Sequence, residues 1–185
     1  MKTIIYYFSG TGNSLAAARK IAGALKDCEL VPIASLADTP GKIVPAADRV
    51  GIVSPVYDAG LPVIVKDFAE RLDIGAVPYT FGIITLGGVG ISALHLLNRI
   101  LMQSSRKKLD AAFAVSMPGN FPPVGVPPSG DKKEEILRKA DAQLAIIAVT
   151  IQKGETVPPS LAALGCLIRC RVDPQFANNF HALVK

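Results

Sequence analysis

The sequence predicts a doubly wound α/β domain: a five-stranded parallel sheet in the order 2-1-3-4-5, with helices on both faces. Three observations predict it. Short runs are apolar on both faces, the segments between them repeat their apolar residues with a period near 3.6, and the two patterns alternate through the first 154 residues. A strand covered by helices on both sides has no face to give to water, so its sequence loses the in-out alternation of a half-exposed strand. Right-handed crossovers then restrict the strand order.

Residues 3–8 form the first such run. Leu15, Ala18, Ala22 and Leu25 follow at helical spacing and define a first helix within 15–25. A weaker run at 29–33 reads as the second strand, and 49–54 as the third. Leu61, Ile64, Val65, Phe68, Ala69 and Leu72 share the face of a second helix, and 79–86 is the fourth strand. Leu94, Leu97 and Leu101 mark a third helix over 91–102, before a fifth strand at 111–117. Ile136, Leu137, Ala140, Leu144, Ile147, Ala148 and Ile151 mark a long last helix that stops before Gly154. Beyond it the composition changes. Val157-Pro158-Pro159 reads as an extended linker, which divides the chain into a domain at 1–154 and a linker with C-terminal tail at 155–185.

Composition narrows the class. Half of the 185 residues are apolar and only 19% are charged, which excludes general disorder and allows one domain with a sizeable core. No apolar run reaches the ~18 to 20 residues of a membrane span. Met1-Lys2-Thr3 leads straight into the first strand without a secretory leader, so a cytoplasmic protein with no membrane partner is expected. The net charge is +5, yet its clusters are only Arg106-Lys107-Lys108 and Lys132-Lys133, the second neutralised by Glu134-Glu135. Scattered charge is not the contiguous stripe that binds nucleic acid, and no nucleic-acid partner is expected. Cys28, Cys166 and Cys170 give neither a disulfide framework nor a four-cysteine cluster site. Cys166 and Cys170 read as small buried side chains. No Ser-His-Asp order, metal-ligand cluster or carboxylate pair is evident, and His95 reads as a surface or satisfied histidine. No catalytic residue and no metal are therefore assigned.

The chemistry is concentrated at Phe8-Ser9-Gly10-Thr11-Gly12-Asn13-Ser14, between the first strand and the first helix. A turn of small hydroxyl residues and glycines at a helix N-terminus aims unpaired N–H groups at one spot, where the helix dipole also favours an anion. Walker A would need a lysine after the last glycine, but Asn13, Ser14 and Leu15 follow Gly12. A dinucleotide fingerprint would need a third small residue where Leu15 stands. Ser9, Thr11, Asn13 and Ser14 are neutral donors, and together with the backbone they suit a terminal phosphate monoester. Three more loops at the same sheet edge are glycine-rich: 54–62, 85–90, and 118–130 with its five prolines. A connection as long as the last is usually functional or disordered.

Tyr7-Phe8-Ser9-Gly10-Thr11-Gly12-Asn13-Ser14 resembles the FMN-phosphate loop of the flavodoxins, in particular the flavodoxin half of flavodoxin-ferredoxin fusion proteins. The resemblance covers roughly 1–154. It implies a flavodoxin-like fold with the ligand beyond the carboxyl ends of the strands, flavodoxin being the familiar instance of that rule. Ser9, Thr11, Asn13 and Ser14, with the backbone of Gly10 and Gly12, would hold the FMN phosphate. Pro55, Val56 and Tyr57 would lie along the flavin ring, Tyr57 stacking on it, since the chain has no Trp. Thr85, Leu86, Gly87 and Gly88 would offer backbone N–H groups to the ring's pyrimidine edge, and Asn120 and Phe121 would close over it.

The resemblance implies an electron-transfer flavoprotein shuttling electrons between a reductase and a low-potential acceptor, with a ferredoxin or a reductase as redox partner. Two other readings stand beside it: an FMN-dependent NAD(P)H:quinone reductase, whose stacking substrates often need a homodimer interface, and a flavin-free interaction module. The cysteine-rich cluster motifs of the fusion proteins do not occur before Lys185, so the expectation is an isolated flavin module, natural or cut from a longer chain, the alternative being a tail that docks on the body or on a second copy. Asp58 is the only carboxylate in 55–62, 85–90 and 118–121. Little negative charge would oppose a reduced anionic flavin, and a potential less negative than that of acidic flavodoxins is expected.

Overall fold

The computed structural model describes residues 1–88, 90–119 and 127–161. Five parallel strands, β1 (Thr3–Tyr7), β2 (Cys28–Pro32), β3 (Arg49–Pro55), β4 (Tyr79–Leu86) and β5 (Ala111–Ser116), form one sheet in the order β2-β1-β3-β4-β5. That is the predicted order. Its helices are α1 (Asn13–Ala24), α2 (Val63–Arg71), α3 (Ser92–Ser105) and α4 (Gly130–Lys153).

The sheet has two buried faces. Ile4, Tyr6, Ile52 and Ile84 join Val65 and Phe68 of α2 and Leu94, Leu97 and Leu101 of α3 on one side. Ile5, Val53, Ile83 and Val115 join Ala17 and Ile21 of α1 and Leu144, Ile147 and Ile151 of α4 on the other. Adjacent strand residues therefore feed opposite cores, which is why the central runs read as continuously apolar. β2 lies at the sheet edge, has no fully buried residue, and gave the weak signal its position explains.

The elements differ from the expected ranges mainly at their ends. α4 starts at Gly130, a turn and a half before its apolar periodicity, because Asp131 to Glu135 are exposed and have no core beneath them. α3 continues to Ser105 because its serines stitch it to the end of α2. The Ser105 hydroxyl donates to the Leu72 carbonyl at 2.7 Å and accepts from the Ile74 N–H at 3.1 Å. After α4 the chain returns along the outer edge of β5, where Val157 N–H donates to Asp110 O at 2.9 Å and Ala112 N–H to Val157 O at 2.8 Å. A 3-10 turn, Pro159–Leu161, ends the described part of the segment read as linker and tail. Cys166 and Cys170 lie outside the described residues.

Candidate functional site

The carboxyl ends of β1, β3, β4 and β5 surround an open cleft with about 400 Å³ of free space, counted to its mouth. Its lining comes from four connections that the sheet order brings together: Ser9 to Thr11 with Asn13 and Ser14; Pro55 and Val56; Thr85 to Gly87; and Met117 to Gly119. None of these side chains carries a charge.

The turn after β1 is shaped by its own bonds. Gly12 precedes α1 with φ 95°, a left-handed conformation that costs a glycine little, and its N–H donates to Ser9 Oγ at 3.1 Å. No side chain caps α1, and its first turn has no acidic residue. The positive end of the helix therefore faces the cleft unneutralised. Asn13 Nδ2 donates to the Pro118 carbonyl at 3.0 Å, tying the turn to the chain leaving β5. Ser14 and Thr85 share a hydroxyl–hydroxyl bond of 2.8 Å at the cleft floor. Thr11 is exposed.

The walls are backbone and apolar carbon. The Thr85 carbonyl accepts from Val56 N–H at 3.0 Å, which joins the ends of β3 and β4. Gly87 and Gly119 touch backbone to backbone: a Cβ on Gly87 would stand 2.5 Å from Gly119 Cα. Tyr57 opens a tight turn with mutual bonds to Gly60, N–H to O at 3.0 and 2.8 Å, in which Asp58 (φ 48°) and Ala59 (φ 56°) are both left-handed. The Ser92 hydroxyl donates to the Ala59 carbonyl at 2.6 Å and holds this turn to α3.

Of the residues singled out by sequence, Ser9, Gly10, Thr11, Asn13, Ser14, Pro55, Val56, Thr85, Leu86 and Gly87 converge on the cleft. Gly12 shapes the turn from behind, and Gly88 stands outside the lining. Tyr57 also lies outside it: its ring meets Phe8 edge-on at 6.3 Å and its hydroxyl rests against Gly10. Asn120 and Phe121 lie outside the described residues. Met117 was not anticipated. It is the last residue of the fifth apolar run, where strand and loop signals overlap, and it is buried at the cleft's rear wall. Among the described residues no group of three or more His, Cys, Asp or Glu could hold a metal, and no helix is long and apolar enough to cross a membrane.

Comparison with known proteins agrees with this geometry. Residues 4–86 match the family model described as a flavodoxin domain. No curated protein matches the chain. Among solved structures it is similar to Smu.1420 of Streptococcus mutans UA159, at 12% identity and TM-score 0.54, over 78% of this chain and 98% of that one. It is also similar to rubredoxin oxygen:oxidoreductase of the anaerobe Desulfovibrio gigas, at 15% identity and TM-score 0.50, over 83% of this chain and 36% of that one. A flavoprotein in complex with FMN from Lactobacillus acidophilus NCFM matches at 18% identity and TM-score 0.48, over 61% of this chain and 92% of that one. With its sheet order, its crevice at the switch between β1 and β3, and the match over 4–86, the described chain has the flavodoxin-like α/β fold.

Proposed function

We propose that the cleft binds FMN and that the protein carries electrons between a reductase and a low-potential acceptor. One observation supports this most: neutral donors at an uncapped helix N-terminus and apolar, backbone-rich walls line the same cleft, with no ionisable side chain among them. The donor end suits a phosphate monoester. Its two negative charges exceed the roughly half charge of a helix end, so hydrogen bonds from the turn must supply most of the binding. Ser9, Thr11, Asn13 and Ser14 and the turn's backbone would hold it. Pro55, Val56, Leu86, Gly87 and Met117 would exclude water from a flat ring, and Asn120 and Phe121 would close over that ring.

When bound, the flavin supplies one- and two-electron chemistry, which the surrounding dipoles and solvent exclusion tune. Among the described residues the lining offers no group that titrates near neutrality, which suits a carrier whose protein part binds and orients rather than transfers protons. A redox protein, a ferredoxin or a reductase, is the proposed partner. The excess of basic residues favours one with an acidic face.

The test is to identify the ligand of the purified protein by mass and then mix the loaded protein anaerobically with NADH or NADPH in a stopped-flow instrument. Stoichiometric FMN is expected, with slow reduction by the nicotinamide alone and fast reduction once a flavodoxin-type reductase is added. Fast reduction by NAD(P)H alone would assign the chain to the quinone reductases instead. A protein that takes up no FMN would remove the cofactor.

A further inference from the structure

The hydroxyls of Ser14 and Thr85 meet at 2.8 Å although the residues are 71 positions apart. Ser14 is 1% exposed and Thr85 3%, and both line the cleft. Two hydroxyls joined by one hydrogen bond hold two protons. One lies between the oxygens, and the other is left for a third group. By itself the pair can run in either direction. An anion at the α1 end accepts and never donates, so it selects the arrangement in which Thr85 donates to Ser14 and Ser14 presents its proton to the anion.

We propose that Thr85 is a positioning residue for phosphate recognition, acting through Ser14, and that this pair makes the cleft discriminate a phosphorylated flavin from riboflavin. The proposal rests on the FMN reading and adds to it a residue whose side chain was not expected to bear on the phosphate. Thr85 is well placed to position another group. It sits near the end of β4 with its carbonyl fixed by Val56 N–H at 3.0 Å, so its hydroxyl is delivered from a strand and not from a loop. Buried away from water, its donation to the Ser14 oxygen polarises the Ser14 O–H and strengthens the next bond in the chain. Without Thr85 the Ser14 hydroxyl would be free to rotate toward other acceptors.

The experiment measures FMN and riboflavin dissociation constants by flavin fluorescence for the wild type, Thr85→Val, Thr85→Ser, Ser14→Ala and the Ser14→Ala/Thr85→Val double variant. Thr85→Val should weaken FMN binding about fivefold, the scale of one hydrogen bond between neutral groups, and leave riboflavin within about twofold. Thr85→Ser should restore FMN binding. The double variant should bind FMN no more weakly than Ser14→Ala alone, because Thr85 has no other route to the phosphate. Equal losses for both flavins, or a double variant that sums the two single effects, would overturn the proposal. Failure of the FMN reading would show earlier and separately, as a wild type that binds neither flavin or prefers riboflavin.

Discussion

The Tyr57 hydroxyl occupies the space that a side chain at Gly10 would need: a Cβ on Gly10 would run into the oxygen while staying 3.5 Å from the ring carbon that carries it. Gly10 is therefore required by a neighbour and not by its backbone, since it is not among the residues with positive φ.

Gly10→Ala should cost about 1 kcal/mol by forcing Tyr57 aside, a low figure for overpacking because Tyr57 is 45% exposed and can swing outward. In a Tyr57→Phe background the obstacle is gone. There the same substitution should be neutral or stabilising by ~0.5 kcal/mol, because alanine restricts the unfolded chain more than glycine does. Urea denaturation of the four proteins tests this, and an equal cost in both backgrounds would place the strain elsewhere.

Gly87 has the opposite kind of neighbour. Its added Cβ would meet Gly119 Cα at 2.5 Å, and backbone cannot rotate out of the way as a phenol can. Gly87→Ala must push apart the connections after β4 and β5, both of which line the cleft. FMN binding should weaken by ~1 to 3 kcal/mol, the usual scale of overpacking. Gly88, with nothing within 4 Å of its Cβ position, serves as the control. Flavin titration of Gly87→Ala and Gly88→Ala checks the contrast, and equal affinities would detach the Gly87–Gly119 contact from the site.

The layers and the turn after β1 were legible because their signals are local. Continuous apolar runs identify buried parallel strands, and a hydroxyl-glycine run between a strand and a helix identifies the turn that lines the cleft. Where Tyr57 points was not legible. Its direction depends on a turn whose two left-handed residues, Asp58 and Ala59, are neither of them glycine, so the sequence carries no mark of it. The Ser14–Thr85 bond was hidden for another reason. It joins residues far apart in the chain, and only the packing of α1 over the end of β4 brings them together. The start of α4 escaped because periodicity reports burial, and its first turn has none.

Tyr79 should give the fold an alkaline limit. Burial, with the Asp110 charge nearby, pushes its phenol up from 10.0 to about 12, and the hydroxyl donates to the Glu155 carbonyl at 2.8 Å. The folded chain keeps that proton where the unfolded chain has lost it. The stabilisation is therefore complete below pH ~10 and is lost as pH rises toward 12, with a slope approaching ~1.4 kcal/mol per pH unit. Tyr79→Phe has no phenol to ionise. Its stability should fall less steeply across this window, while Cys28, pushed up to about 11 chiefly by burial, contributes equally to both proteins. Urea midpoints between pH 9 and 11.5 decide the matter: parallel curves would show that Tyr79 is not the group responsible.

At the far end of the sheet from the cleft, Thr3 and Arg49 lie side by side in the β1–β3 register, and neither Thr3 Oγ1 nor Arg49 Nε has a hydrogen-bond partner among the described residues. Arg49 retains one bond, from its guanidinium to the Gln152 carbonyl at 2.8 Å. A buried hydroxyl without a partner costs ~1 to 3 kcal/mol in lost hydration. Thr3→Val keeps the β-branched shape that suits a strand and removes the oxygen, so it should stabilise the protein by about 1 kcal/mol. Arg49→Ala should do the reverse, since it removes the bond to the Gln152 carbonyl and leaves a void where the arginine stem packs. Neither should change FMN affinity, because both residues stand at the amino ends of their strands. Thermal unfolding and flavin titration together give the test, and a Thr3→Val protein that melts lower than the wild type would mean that the hydroxyl has a partner after all.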